Sequence, residues 1–165
     1  MVSVVSFTHA AISLDEVKAF VRVDTNAHDA LLAILLEAAQ EECFSVTHTV
    51  FGTAEFLLQR WEQCYSIDMP YAPIATIDAV ELDGVAAVEG TDYNYQPPYL
   101  NILTPYTESL QVEYTCTGTL PADVKHAILQ RVKYGFDYGD DLPQDTPRFF
   151  DRVIGRYRHH QTFAG

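Results

Sequence analysis

A chain of 165 residues with 48% hydrophobic side chains has the composition of a globular domain and the length to bury a core. Its formal net charge of −13 argues against nucleic acid as a partner of the body, and no apolar run approaches the ~20 residues of a membrane span. The charge is uneven: residues 1–124 set only Lys18, Arg22 and Arg60 against 18 acids, whereas residues 125–165 set seven Lys or Arg against five.

The opening MVSVVSFTHA lacks the basic stretch of a secretory signal, which reads as a cytoplasmic product. Ser13-Leu14-Asp15-Glu16 fits a capping box and opens a first helix over 13–22, with Leu14, Val17, Phe20 and Val21 apolar. Asp24, Thr25 and Asn26 offer N-caps for a long second helix over 27–46. Two apolar faces lie side by side on that helix, Leu31/Ile34/Leu35/Ala38 and Leu32/Leu36/Ala39/Cys43. So wide an apolar sector needs partners on two sides. Glu42 falls inside the sector, where it snorkels, caps or meets a neighbouring subunit. The pair of helices is acidic, so a DNA-reading helix–turn–helix is not implied.

Residues 49–118 have β texture: Thr49–Trp61, then Ala75–Leu82 into the turn signal Asp83-Gly84. Tyr93–Tyr95 and Leu100–Leu103 flank Pro97-Pro98, and Leu110–Thr117 alternates cleanly. Four to six short antiparallel strands, inserted between helices, are expected. Pro121 starts a third helix over 121–138, with Val124, Ile128, Leu129, Val132 and Phe136 facing inward and Gly139 as its cap. The fold class is therefore α+β, a body over 1–138 with three main helices and an inserted β region, followed by a linker and an amphipathic C-terminal arm over 139–165.

That arm begins with Thr146-Pro147, then sets Arg148, Arg152 and Arg156 in one basic row beside Phe149, Phe150, Val153, Ile154 and Tyr157. A solvated helix face, a nucleic-acid contact and docking into a partner's groove all fit the row. The aromatic and aliphatic face favours docking, since those side chains are costly to leave in water.

Catalytic constellations do not rise above background. The three cysteines, Cys43, Cys64 and Cys116, show no CxxC or metal-ligand spacing and read as reduced thiols. His159-His160 with His126 lacks the fixed spacing of a zinc site. Cys43 and His48 have no orienting third group. No phosphate loop, GxSxG or HExxH occurs. No enzyme activity, metal or cofactor is expected. A competing ligand-binding domain would use a pocket lined by Tyr93, Tyr95, Tyr99 and Tyr106.

Taken in order, the motifs form a pattern. Leu14, Glu16, Lys18, Val21-Arg22-Val23-Asp24, Asp29, Leu31-Leu32 and Ala38-Ala39 are followed by Val112, Tyr114, Gly118, Pro121, Lys125 and Ala127-Ile128-Leu129. The pattern resembles the head–tail connector (adaptor) proteins of tailed bacteriophages. The resemblance implies a structural virion protein of the neck, at the portal vertex, assembled in the host cytoplasm. It implies a ring of twelve copies beneath the portal, with the portal protein and a stopper or tail-completion protein as partners. DNA would pass through an acidic lumen without specific binding, and no membrane is involved. On this reading the arm, with Arg148, Phe149, Phe150, Arg152, Val153, Ile154, Arg156 and Tyr157, docks on the portal. Leu32, Leu36, Glu42 and Phe44 become candidates for contact between subunits. Another place in the neck, as stopper or tail-completion protein, is the nearest alternative.

Overall fold

A computed structural model describes residues 1–106, 108–139 and 148–158, with the side chains of Arg148 and Phe149 outside the description. The chain divides into two compact units. One is built on strands and contains residues 1–8 and 50–118; the other is helical and contains residues 9–49 and 119–158. This division differs from the expected one, which placed the boundary between 138 and 139.

The strand unit holds two sheets. Strands β1 (Val2–His9), β2 (Gly52–Arg60), β4 (Ile74–Leu82), β5 (Val85–Ala86) and β8 (Leu110–Gly118) form one, in the order β1-β2-β8-β4-β5. Strands β3 (Ser66–Asp68), β6 (Tyr93–Gln96) and β7 (Tyr99–Ile102) form the other, in the order β3-β7-β6. The alternation expected at 110–117 is real: Leu110, Val112, Tyr114 and Cys116 are buried. Opposite them on β2 stand Ala54, Phe56 and Leu58, also buried. Phe56 stacks between Tyr71 and Tyr114, with centroid distances of 4.4 and 5.2 Å.

One turn and one close approach follow from local chemistry. Asp83 and Gly84 both take positive φ, 53° and 78°, the requirement of a tight hairpin turn of the mirror-image kind. The Asp83 carboxylate then accepts from the backbone N–H of Glu108 and Ser109 at 2.6 and 2.9 Å, tying the turn to the approach of β8. Gly118, at the end of β8, has no room for a side chain: a Cβ there would lie 2.0 Å from the Val50 carbonyl oxygen.

The strands over 52–118 are inserted between α2 and α3, as expected, and one further strand lies outside that insertion. The first strand comes from residues 2–9, ahead of every helix, and pairs with β2. The strands also split into two sheets instead of one.

The helical unit contains α1 (Leu14–Val21), α2 (Asp29–Thr47), α3 (Ala122–Tyr138) and α4 (Arg148–Ile154). The capping box is present in full: Ser13 Oγ accepts from Glu16 N at 3.2 Å, and Glu16 Oε2 accepts from Ser13 N at 3.0 Å. Lys125 Nζ reaches the same carboxylate at 2.6 Å and holds its pKa below the ordinary value. The Asp24-Thr25-Asn26 caps do not form. A 3-10 turn over Asn26–His28 precedes α2, and neither Thr25 nor His28 makes a side-chain cap. Pro121 is the N-cap of α3, one position earlier than expected, and Gly139 closes that helix. The buried face of α3 is Val124, Ala127, Ile128, Leu129 and Val132.

Candidate assembly interface

Helix α2 sorts its two apolar faces. Leu32, Ala39, Cys43 and Thr47 are buried, along a seam that Leu36 continues half-buried. The spacing of 4, 3, 4 and 4 residues is that of a seam between packed helices, and α2 does pack on α3. Small residues at 39 and 43 let the helices approach. The other face looks out: Leu31 is 46% exposed and Ile34 63%, with Ala30, Ala33 and Ala38 exposed around them.

This changes the expected set of subunit contacts. Leu32 has no accessible surface in its own unit and so has none to offer a neighbour. Glu42 also has a local explanation. Arg131 Nε donates to Glu42 Oε2 at 2.8 Å, so an acid inside an apolar sector is matched by a base from the facing helix. Leu36 and Phe44 are half-buried. The exposed apolar residues are Leu31 and Ile34, which share the sequence pattern of Leu32 and Leu36 and were passed over.

The tail residues are likewise redistributed. Phe150, Val153 and Ile154 are buried within the helical unit, where α4 packs on α3 and α2. Tyr157 is anchored at both ends of the residue. Its hydroxyl donates to the Asp123 carboxylate at 2.9 Å, and its carbonyl oxygen accepts from Thr49 Oγ1 at 2.7 Å. Arg158 Nε donates to the Val46 carbonyl at 3.1 Å. The apolar face that sequence reasoning sent to a partner's groove thus has its place inside the chain. Arg152 and Arg156 are exposed. The side chains of Arg148 and Phe149, and residues 159–165 with His159 and His160, lie outside the described residues.

The tyrosines do not converge on one pocket. Tyr93 is buried, Tyr99 exposed, and Tyr106 buried with its hydroxyl donating to the Glu62 carbonyl at 2.7 Å and accepting from Cys64 N at 2.8 Å. Tyr95 lines a cavity of about 240 Å³, with Met69, Tyr71, Pro97 and Pro98. Burial pushes the Cys43 and Cys116 thiols up to about 12, so neither is a nucleophile at neutral pH. All three cysteines are free. Among the described residues no group of three His, Cys, Asp or Glu is placed to hold a metal ion, and no helix is long and apolar enough to cross a membrane.

Known proteins resemble this two-unit α+β chain in sequence and in fold. Residues 11–73 match the family model of the Phage gp6-like head-tail connector protein. No curated protein matches the chain. Solved structures do. A chain in the neck of an empty gene transfer agent (GTA) particle, computed with C6 symmetry, is similar at 21% identity and a TM-score of 0.78. A chain in the virion of the native gene transfer agent particle is similar at 20% identity and 0.79. One in the neck of the native particle, computed with C12 symmetry, is similar at 20% and 0.71. Each likeness covers 100% of this chain and 98% of the other, so the fold is shared from end to end. The resemblance to head–tail connectors read from the sequence holds, and the α+β class holds with it. The family match ends at residue 73, whereas the second block of motifs, from Val112 to Leu129, lies beyond it.

Proposed function

We propose that this protein is a structural head–tail connector of a tailed phage or phage-like particle. Its copies form a ring beneath the portal, extend the DNA channel and offer the surface on which a stopper or tail attaches. It is made in the host cytoplasm and ends in the virion neck. The observation that carries this reading is the coincidence of two independent likenesses: a connector family match over residues 11–73 and a full-length fold shared with neck chains. A copy number of twelve is taken from the C12 symmetry in which one of those necks was computed.

The charge distribution supports a channel role. The strand unit carries ten carboxylates and a single cation, Arg60. Such a surface repels the phosphate backbone and lets DNA pass without sticking. The exposed Leu31/Ile34 face of α2 is the contact between neighbouring copies in the ring. A closed ring needs two different surfaces on every copy, because head-to-tail contacts do not match a patch to itself.

Portal docking falls to the exposed row of the C-terminal segment, Arg152 and Arg156, against carboxylates on the portal. The test is co-sedimentation with the cognate portal for the wild-type protein and Arg152→Glu, at about 50 mM and about 500 mM salt. Exposed pairs are screened over roughly 10 Å at 0.1 M salt. The reading expects wild-type binding, with the loss in Arg152→Glu larger at low salt. A salt-independent, unchanged affinity in the variant contradicts the docking role of the row. No binding by the wild-type protein contradicts the connector reading itself.

A further inference from the structure

The two edges of the five-stranded sheet are built differently. At one end β5 pairs only with Glu81 and Leu82 of β4, and the Val80 carbonyl accepts from Ala87 N at 2.8 Å, leaving Ile74–Ala79 as the outer run. That run is protected against pairing. Its register slips between Ile74 and Thr76 and again between Ile77 and Ala79, and the Asp78 carboxylate stands on it, bonded by the Thr76 and Thr115 hydroxyls at 2.7 and 2.6 Å. Bulges and charges are the usual means of keeping a strand edge from recruiting another chain.

Among the described residues, the opposite edge, β1, has none of these devices. It runs for eight residues without Pro, Gly, Asp, Glu, Lys or Arg. Ser3, Val4, Val5 and Ser6 are exposed in succession, with Val4 at 49% and Val5 at 63%. The register with β2 fixes which amides face outward. Met1 exchanges both backbone bonds with Gln59, its N–H donating at 2.7 Å and its carbonyl accepting at 2.8 Å, and Ser3 Oγ donates to the Leu57 carbonyl at 3.4 Å. In an antiparallel ladder the bonded positions alternate, so Ser3 and Val5 point their N–H and C=O groups at β2. Val4 and Ser6 point theirs away from it.

We infer that β1 is a docking edge to which an extended, uncharged or basic segment of another neck protein adds as a further strand. The inference rests on the connector reading, since it is the neck that supplies such a neighbour. Charge selects the occupant. A strand unit with ten carboxylates and one arginine repels a second copy of itself brought edge to edge, and β1 carries no Lys or Arg to offset that repulsion, only the Met1 terminal ammonium held on the Gln59 carbonyl. A neutral or basic strand from a different chain meets no such cost. Main-chain bonds would supply affinity, and Val4 and Val5, on opposite sides of the strand, would supply the side-chain contacts.

Amide hydrogen exchange tests this on the full-length protein, free and in necks purified after co-expression with its cognate portal and neighbouring neck proteins. Exchange over residues 2–8 is expected to slow by about tenfold or more in the neck and not in the free protein. Unchanged exchange in necks that contain the protein overturns the inference and leaves the connector reading standing. Slowed exchange in a ring of this protein alone overturns the proposed occupant in favour of a second copy. Failure to enter the neck at all overturns both. A pair of variants provides a second readout. Ser6→Pro deletes an outward N–H and should fold normally yet be depleted from necks, while Val5→Pro deletes an inward one and should destabilise the free protein. Folded Ser6→Pro entering necks at the wild-type level overturns the inference.

Discussion

Tyr114 sits at the centre of the strand unit with no accessible surface, and its hydroxyl has no hydrogen-bond partner among the described residues. Desolvation raises its pKa, so it stays neutral. An unsatisfied buried hydroxyl costs roughly 1–3 kcal/mol. Tyr114→Phe keeps the ring that stacks on Phe56 and removes the cost, so the urea unfolding midpoint is expected to stay put or rise. A fall of more than about 1 kcal/mol in stability would show that the hydroxyl has a partner after all. The Arg131–Glu42 pair is the contrasting case. Both side chains keep part of their surface in water, so the pair settles the position of an otherwise misplaced acid more than it adds stability. Sequence alone left Glu42 open because its partner lies 89 positions away, on a helix whose packing the spacing cannot give.

Elements were legible in proportion to how local their causes are. The Ser13–Glu16 capping box forms as written, because both bonds close within four residues. The Asp83-Gly84 turn and the alternation in β8 are local as well. Strand β1 was not legible, because Val-Ser-Val-Val-Ser lacks strict alternation and its existence depends on β2, some 50 residues on. The sorting of α2 was not legible, because both faces are apolar and only the position of α3 says which one turns inward. The same limit applies to α4. An amphipathic helix reads identically whether its face is covered by its own chain or by a partner. Here it is covered by its own chain, which changes what truncation does. Removing residues 147–165 strips Phe150, Val153 and Ile154 from the helical core and should destabilise that unit, not leave an intact body. The single substitution Ile154→Ala, at a side chain with no exposed surface, is expected to cost about 2–4 kcal/mol by chemical denaturation. A cost under about 0.5 kcal/mol would mean that α4 is not part of the core.

At the scale of the whole molecule, function lies in what the two units present outward. The strand unit offers a strongly acidic surface and one edge without bulges or charged side chains; the helical unit offers an apolar face on α2 and a pair of arginines in its C-terminal segment. These surfaces differ from one another, as head-to-tail assembly into a ring requires. Negative-stain electron microscopy of the purified protein mixed with its cognate portal, beside the protein and the portal alone, tests the central claim most directly. The connector reading expects a ring of added density beneath the portal, with a central channel and twelvefold symmetry. Portals bearing no added density, at protein concentrations well above those of the assembled neck, would contradict it.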